Sequence, residues 1–114
     1  MTSRALLGPA AALVAATAIA APTTALGGAH AAAGHSVTLK NIRFNPPALT
    51  IKRGDTVTWL WRDGSTQHNV TGSGFKSRTM SKGSFTVRFS RRGTFNYRCT
   101  IHVSLGMRGR IVVR

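Results

Sequence analysis

The run Cys99-Thr100-Ile101-His102-Val103-Ser104-Leu105-Gly106-Met107 holds the only cysteine of the chain, followed by an imidazole and then a thioether at spacings Cys-x2-His-x4-Met. A second imidazole, His68, lies upstream beside Asn69. Thiolate and thioether are soft donors, and with two imidazoles they make the ligand set of a trigonal copper site suited to electron transfer. Zinc is the chemical rival, but structural zinc takes four Cys or His ligands, and a thioether serves it poorly. Taken singly, each residue reads more blandly. A lone His beside a strand is commonly a surface or satisfied core residue, Met107 reads as core, and Cys99 as a buried inert thiol. The joint spacing makes His68, Cys99, His102 and Met107 the candidate metal ligands. Of the other imidazoles, His30 falls in a leader segment described below. His35 lies near the expected new N-terminus and offers at most an adventitious metal contact.

Strands must position these side chains, because no helix-length amphipathic pattern occurs after residue 34. Period-two alternation recurs instead, with Gly, Pro, Asn and Ser between the runs. Val37 and Leu39 share one parity and Ile42 and Phe44 the other, so the phase change at Lys40-Asn41 predicts a bulge. Leu49 and Ile51 form a short strand, turned by Arg53-Gly54-Asp55. Val57, Trp59 and Trp61 face one way. Arg62 to Ser65 reads as a loop leading to His68 and Val70. Thr71 to Lys82 is polar and reads as loop with at most a short edge strand. Phe85, Val87 and Phe89 alternate, then Phe95, Tyr97 and Cys99, then Met107, Gly109, Ile111 and Val113. Seven or eight short strands at this spacing indicate an all-β sandwich or barrel. Residues i and i+2 of a strand share a side, so Cys99 points inward with Tyr97, and Met107 with Ile111. His102 is left to the loop between them.

The chain has 114 residues, enough for one domain. Residues 1–31 read as a secretory signal peptide: one charge at Arg4, an Ala-rich apolar run over 5–21, and Ala29-His30-Ala31 as a cleavage site. The apolar run is short of the roughly 20 residues a spanning helix needs. Residues 32–36 then form a short N-terminal segment and 37–114 the copper-binding domain. Export places the protein in an extracellular, cell-wall-associated or periplasmic setting. An unpaired cysteine in such an oxidising place calls for an explanation, and metal ligation supplies it. The formal charge is +14, with Asp55 and Asp63 the only acids. A nucleic-acid partner is not expected, since no recognisable nucleic-acid module is present. An acidic redox protein or an anionic envelope surface suits the charge better.

The region from Val37 to Arg114 resembles the cupredoxins, in particular the small plastocyanin-like and halocyanin-like blue copper proteins. The landmarks are Ile42-x-Phe44-x-Pro46, Ile51-x2-Gly54-Asp55-Thr56-Val57-Thr58-Trp59, His68-Asn69-Val70, and Gly93-Thr94-Phe95-Asn96-Tyr97-x-Cys99-x2-His102-x4-Met107-x-Gly109-x-Ile111-x-Val113. The resemblance implies an eight-stranded Greek-key sandwich and one type 1 copper ion held by His68, Cys99, His102 and Met107. It also implies an outer role for Asn69, whose backbone N–H donates to the thiolate sulfur in similar proteins. His102, with Val103 and Leu105, becomes the electron port and docking patch for a transient redox partner. The function so implied is one-electron transfer by a monomer that is not an enzyme. The alternative is copper storage or delivery outside the cytoplasm. Two departures stand out: Ile101 occupies a position where many relatives have Pro, and the strong basic charge contrasts with acidic plant members.

Overall fold

The computed structural model describes residues 31–114. The leader expected over residues 1–31 lies outside the described residues except for Ala31. Nine strands are found among the described residues: β1 Gly34–Leu39, β2 Phe44–Asn45, β3 Ala48–Ile51, β4 Thr56–Trp61, β5 Thr71–Gly72, β6 Phe75–Lys76, β7 Gly83–Arg88, β8 Gly93–Arg98 and β9 Arg108–Val113. They form a four-stranded sheet, β2-β1-β4-β7, and a five-stranded sheet, β3-β9-β8-β5-β6. β1 pairs with β4 and β3 with β9 in parallel, while the remaining pairs are antiparallel. The all-β expectation holds.

Alternation decides which side chains enter the core. Val57, Trp59 and Trp61 are buried on β4, while Thr56, Thr58 and Leu60 are only half-buried, because successive strand residues leave on opposite faces. Val37 and Leu39 join them from β1, and Ile51, Tyr97, Ile111 and Val113 come from the other sheet. Trp59 sits among aromatic rings, edge-on to Tyr97 at 5.2 Å and stacked on Phe75 at 5.7 Å. Such a cluster dominates core energetics through its area and ring geometry. Gly109 lies directly opposite Tyr97 in the β8–β9 register. A methyl group there would overlap the Tyr97 ring and hydroxyl, so glycine is what lets the ring lie under β9.

Three local expectations change. The phase shift near Lys40 is a hairpin rather than a bulge. Lys40 and Arg43 exchange backbone hydrogen bonds of 3.1 Å, and Leu39 pairs with Phe44. Asn41 and Ile42 both have φ of 55°, as a two-residue type I′ turn demands. Alternation restarts after the turn, which from sequence looks like an inserted residue. The first strand begins at Gly34, inside the segment assigned to 32–36, because Gly34 pairs with Thr56 and His35 with Val57. Within Thr71–Lys82, β5 and β6 form a small hairpin. Two-residue strands carry no readable alternation, which also explains why nine strands are found where seven or eight were expected.

Candidate metal centre

Three separate stretches deliver the donor side chains to one end of the sandwich. His68 follows the loop after β4. Its backbone exchanges hydrogen bonds with Met80 at 2.9 and 3.0 Å, and its carbonyl accepts the Trp61 indole N–H at 3.0 Å. Cys99 follows β8 on the inward parity of Tyr97, and both are buried. His102 starts the turn that returns the chain to β9. His102 N–H donates to the Cys99 carbonyl, and a 3₁₀ turn runs over Val103–Leu105 and ends at Gly106 with φ of 86°. Glycine suits that left-handed position. Met107 closes the loop: its N–H donates to the His102 carbonyl, and its carbonyl accepts the Cys99 N–H. Met107 is fully buried.

His68, Cys99 and His102 offer donor atoms that all lie within 4.8 Å of one another. His68 Nδ1 and His102 Nδ1 are 3.1 Å apart, His102 Nδ1 and Cys99 Sγ 3.5 Å, and His68 Nδ1 and Cys99 Sγ 3.9 Å. A circle through atoms at those separations has a radius of about 2 Å, in the range of metal–imidazole and metal–thiolate bonds, roughly 2.0–2.3 Å. Two imidazole nitrogens and a sulfur facing one another this closely are a poor mutual hydrogen-bonding arrangement and a good metal-binding one. His68 and Cys99 are buried, while His102 is half-buried. The site therefore has two interior donors and one that reaches towards solvent.

The second nitrogen of His68 is also engaged. Nε2 lies 2.7 Å from Asp63 Oδ2. Asp63 accepts two more bonds, from Asn41 N–H to Oδ1 and Ile42 N–H to Oδ2, each 3.0 Å. Partial burial pushes the Asp63 carboxyl up, but the bonds from His68, Ile42 and Asn41 outweigh it and leave it below the ordinary carboxylate range. From sequence Asp63 read only as a loop residue. Asn69 braces a different part of the site through its side chain. Its amide nitrogen donates to Thr79 and Thr100 hydroxyls, and its carbonyl oxygen accepts Thr71 Oγ1 and Thr100 N–H. That ties the segment after His68 to the residue after Cys99. His35 is committed elsewhere, with Nε2 2.9 Å from buried Asp55. Around the half-buried His102, Ile101 and Leu105 are the exposed large hydrophobics of the described residues, at 49% and 68%. Val103 is half-buried beside them.

Residues 31–114 match the family model for copper binding proteins of the plastocyanin/azurin family. The chain belongs to that family. Amicyanin of Paracoccus denitrificans is 34% identical over 84 residues, covering 68% of this chain and 63% of amicyanin. Plastocyanin of Scenedesmus fuscus is 33% identical over 85 residues, covering 62% of this chain and 86% of plastocyanin. Halocyanin of Natronomonas pharaonis is 34% identical over 77 residues, covering 61% of this chain and 47% of halocyanin. A solved Cu(I) amicyanin variant superposes with a TM-score of 0.64 at 32% identity, covering 71% of this chain and 82% of that one. Fold and family thus agree with the donor geometry. The His68, Cys99 and His102 cluster of this cupredoxin fits a single type 1 copper ion.

Proposed function

We propose that this protein is an exported one-electron carrier whose single copper ion would be held by His68, Cys99 and His102, with the Met107 thioether as the weakest donor. The convergence of two Nδ1 atoms and Sγ at 3.1, 3.5 and 3.9 Å carries the reading. Bound copper supplies the Cu(I)/Cu(II) couple. The chain supplies the rest. Cys99 and His68 are fixed from the interior, so little needs to move when the charge of the site changes. Met107 is buried and its backbone is hydrogen-bonded to both Cys99 and His102, which supports its inclusion among the donors. Four protein donors leave no open position for a substrate, in contrast to catalytic metal sites, so this is a carrier and not an enzyme.

His102 is the electron port. Ile101, Val103 and Leu105 give its surroundings an apolar character, which suits a small, transient interface. Cations flank it. A groove of about 320 Å³ brings Leu105 together with Arg43 and Arg108. Arg108 lies directly opposite Arg98 in the β8–β9 register, and both are exposed. Like charges opposite one another on a sheet destabilise it, and an acidic partner surface would offset that cost. The redox partner is therefore an acidic protein, docking a monomeric carrier outside the cytoplasmic membrane. The Ala-rich run and the Ala29-His30-Ala31 site support export.

The deciding experiment cycles the copper-loaded protein electrochemically in the presence of a competing Cu(I) chelator. Repeated one-electron cycles with copper retained are expected. Rapid loss of Cu(I) to the chelator would overturn carriage and leave copper delivery as the function.

A further inference from the structure

We propose that Asp63 is a positioning residue for the copper centre, orienting the His68 ring and biasing the centre towards Cu(II). This rests on the copper reading above. A carboxylate can only accept hydrogen bonds, so the 2.7 Å contact places the His68 proton on Nε2. The lone pair of Nδ1 is then directed at Cys99 and His102, at 3.9 and 3.1 Å. His68 is fully buried and its backbone is bonded to Met80 and Trp61, so the ring is held between Asp63 on one side and Cys99 and His102 on the other.

Asp63 is itself held. Both of its oxygens accept backbone N–H groups from the Asn41-Ile42 turn. That turn has positive φ at both central residues, a conformation ill-suited to a β-branched residue such as Ile42. The carboxylate thus clamps a strained hairpin and a ligand at once. The other acid, Asp55, is buried and bonded to His35. The two imidazoles are therefore unequal: the interior one is backed by an anion, and the half-exposed one faces the docking patch. A carboxylate behind a ligating imidazole raises its basicity, and a stronger donor favours the more highly charged ion.

The test has two readouts. In the metal-free wild type, nitrogen NMR should find His68 as the Nε2–H tautomer; the Nδ1–H tautomer overturns the proposal. In the copper-loaded protein, Asp63→Asn should lower the Cu(II)-over-Cu(I) preference about tenfold, an upward potential shift of about 59 mV for one electron. Turn effects are separated by repeating the substitution on an Ile42→Gly background, where the turn accepts positive φ without strain. A shift that persists there supports the proposal. An unchanged potential with the thiolate-to-copper band retained overturns it while leaving the copper reading intact. Absence of that band in the wild type sinks the copper reading itself. Should Asp63→Asn fail to fold on either background, the wild-type tautomer decides.

Discussion

At the scale of single residues, the proposed site divides its labour among three clustered donors, a fourth assigned to Met107, and one anion. Cys99 brings charge and softness, His68 brings a ring fixed from behind, and His102 brings access. On the proposed reading, Met107 would contribute least to affinity and most to tuning. Met107→Leu is expected to retain copper and raise the reduction potential by on the order of 60 mV, equivalent to a tenfold change in relative Cu(I) and Cu(II) binding. Voltammetry of the variant checks this, and an unchanged or lower potential would contradict the axial role. The spacing of Cys99, His102 and Met107 was open to sequence reading because one loop carries all three. His68 was legible as the second imidazole that completes the donor set, and the resemblance at His68-Asn69-Val70 reinforced it. Asp63 was not visible, since a carboxylate five residues before a His in a loop has no periodic signature. One clue was present in the composition. The chain has only two acids against a charge of +14, and the fold engages both, Asp63 with His68 and Asp55 with His35.

At the scale of elements, β8 and β9 carry the site, and Tyr97 is the joint between site and core. Phe44 meets its ring edge-on at 4.7 Å and Trp59 at 5.2 Å. Its hydroxyl is buried with no hydrogen-bond partner, and burial pushes the phenol up to about 12 against a smaller downward pull from the Trp59 indole. The unfolded chain ionises this group near its ordinary value of 10.0. Its neutral form is favoured by the fold. Stability from this source is therefore whole below pH 10 and drains as pH climbs through about 12. The metal-free wild type should lose about 2–3 kcal/mol through that window that Tyr97→Phe does not lose. Paired denaturant titrations, in which lysine ionisation is common to both proteins, measure the difference. Equal alkaline losses would contradict the assignment. Near neutral pH, Tyr97→Phe should be as stable as wild type or more so, because an unsatisfied buried hydroxyl is removed. The long strands were legible through alternation at Val57-Trp59-Trp61 and Ile111-Val113. The Asn41-Ile42 hairpin was not, because type I′ turns usually announce themselves with Asn-Gly, and here Ile42 stands at the second position.

At the scale of the whole molecule, cations are spread over the fold, and two of them, Arg98 and Arg108, border the metal-site loop. Arg98 immediately precedes Cys99, and Arg108 immediately follows Met107. In the proposed docking, a partner steered by these cations would arrive near the loop that carries His102. The association rate with an acidic redox protein should fall about tenfold or more as salt is raised from low to well above physiological strength. Arg98→Ser combined with Arg108→Ser should flatten that dependence without altering the reduction potential greatly. Stopped-flow mixing across a salt series checks both, and a rate independent of ionic strength would contradict electrostatic docking. The overall charge was plain from composition, whereas its placement required the β8–β9 register that sets Arg98 opposite Arg108.

The most direct test of the account is a titration of the metal-free protein with Cu(II), followed by visible absorption. One equivalent should produce an intense blue thiolate-to-copper band that saturates at a ratio of one and is absent in Cys99→Ser. A colourless complex, or a band that survives loss of the sulfur, would contradict the convergence of His68, Cys99 and His102 on a single copper ion.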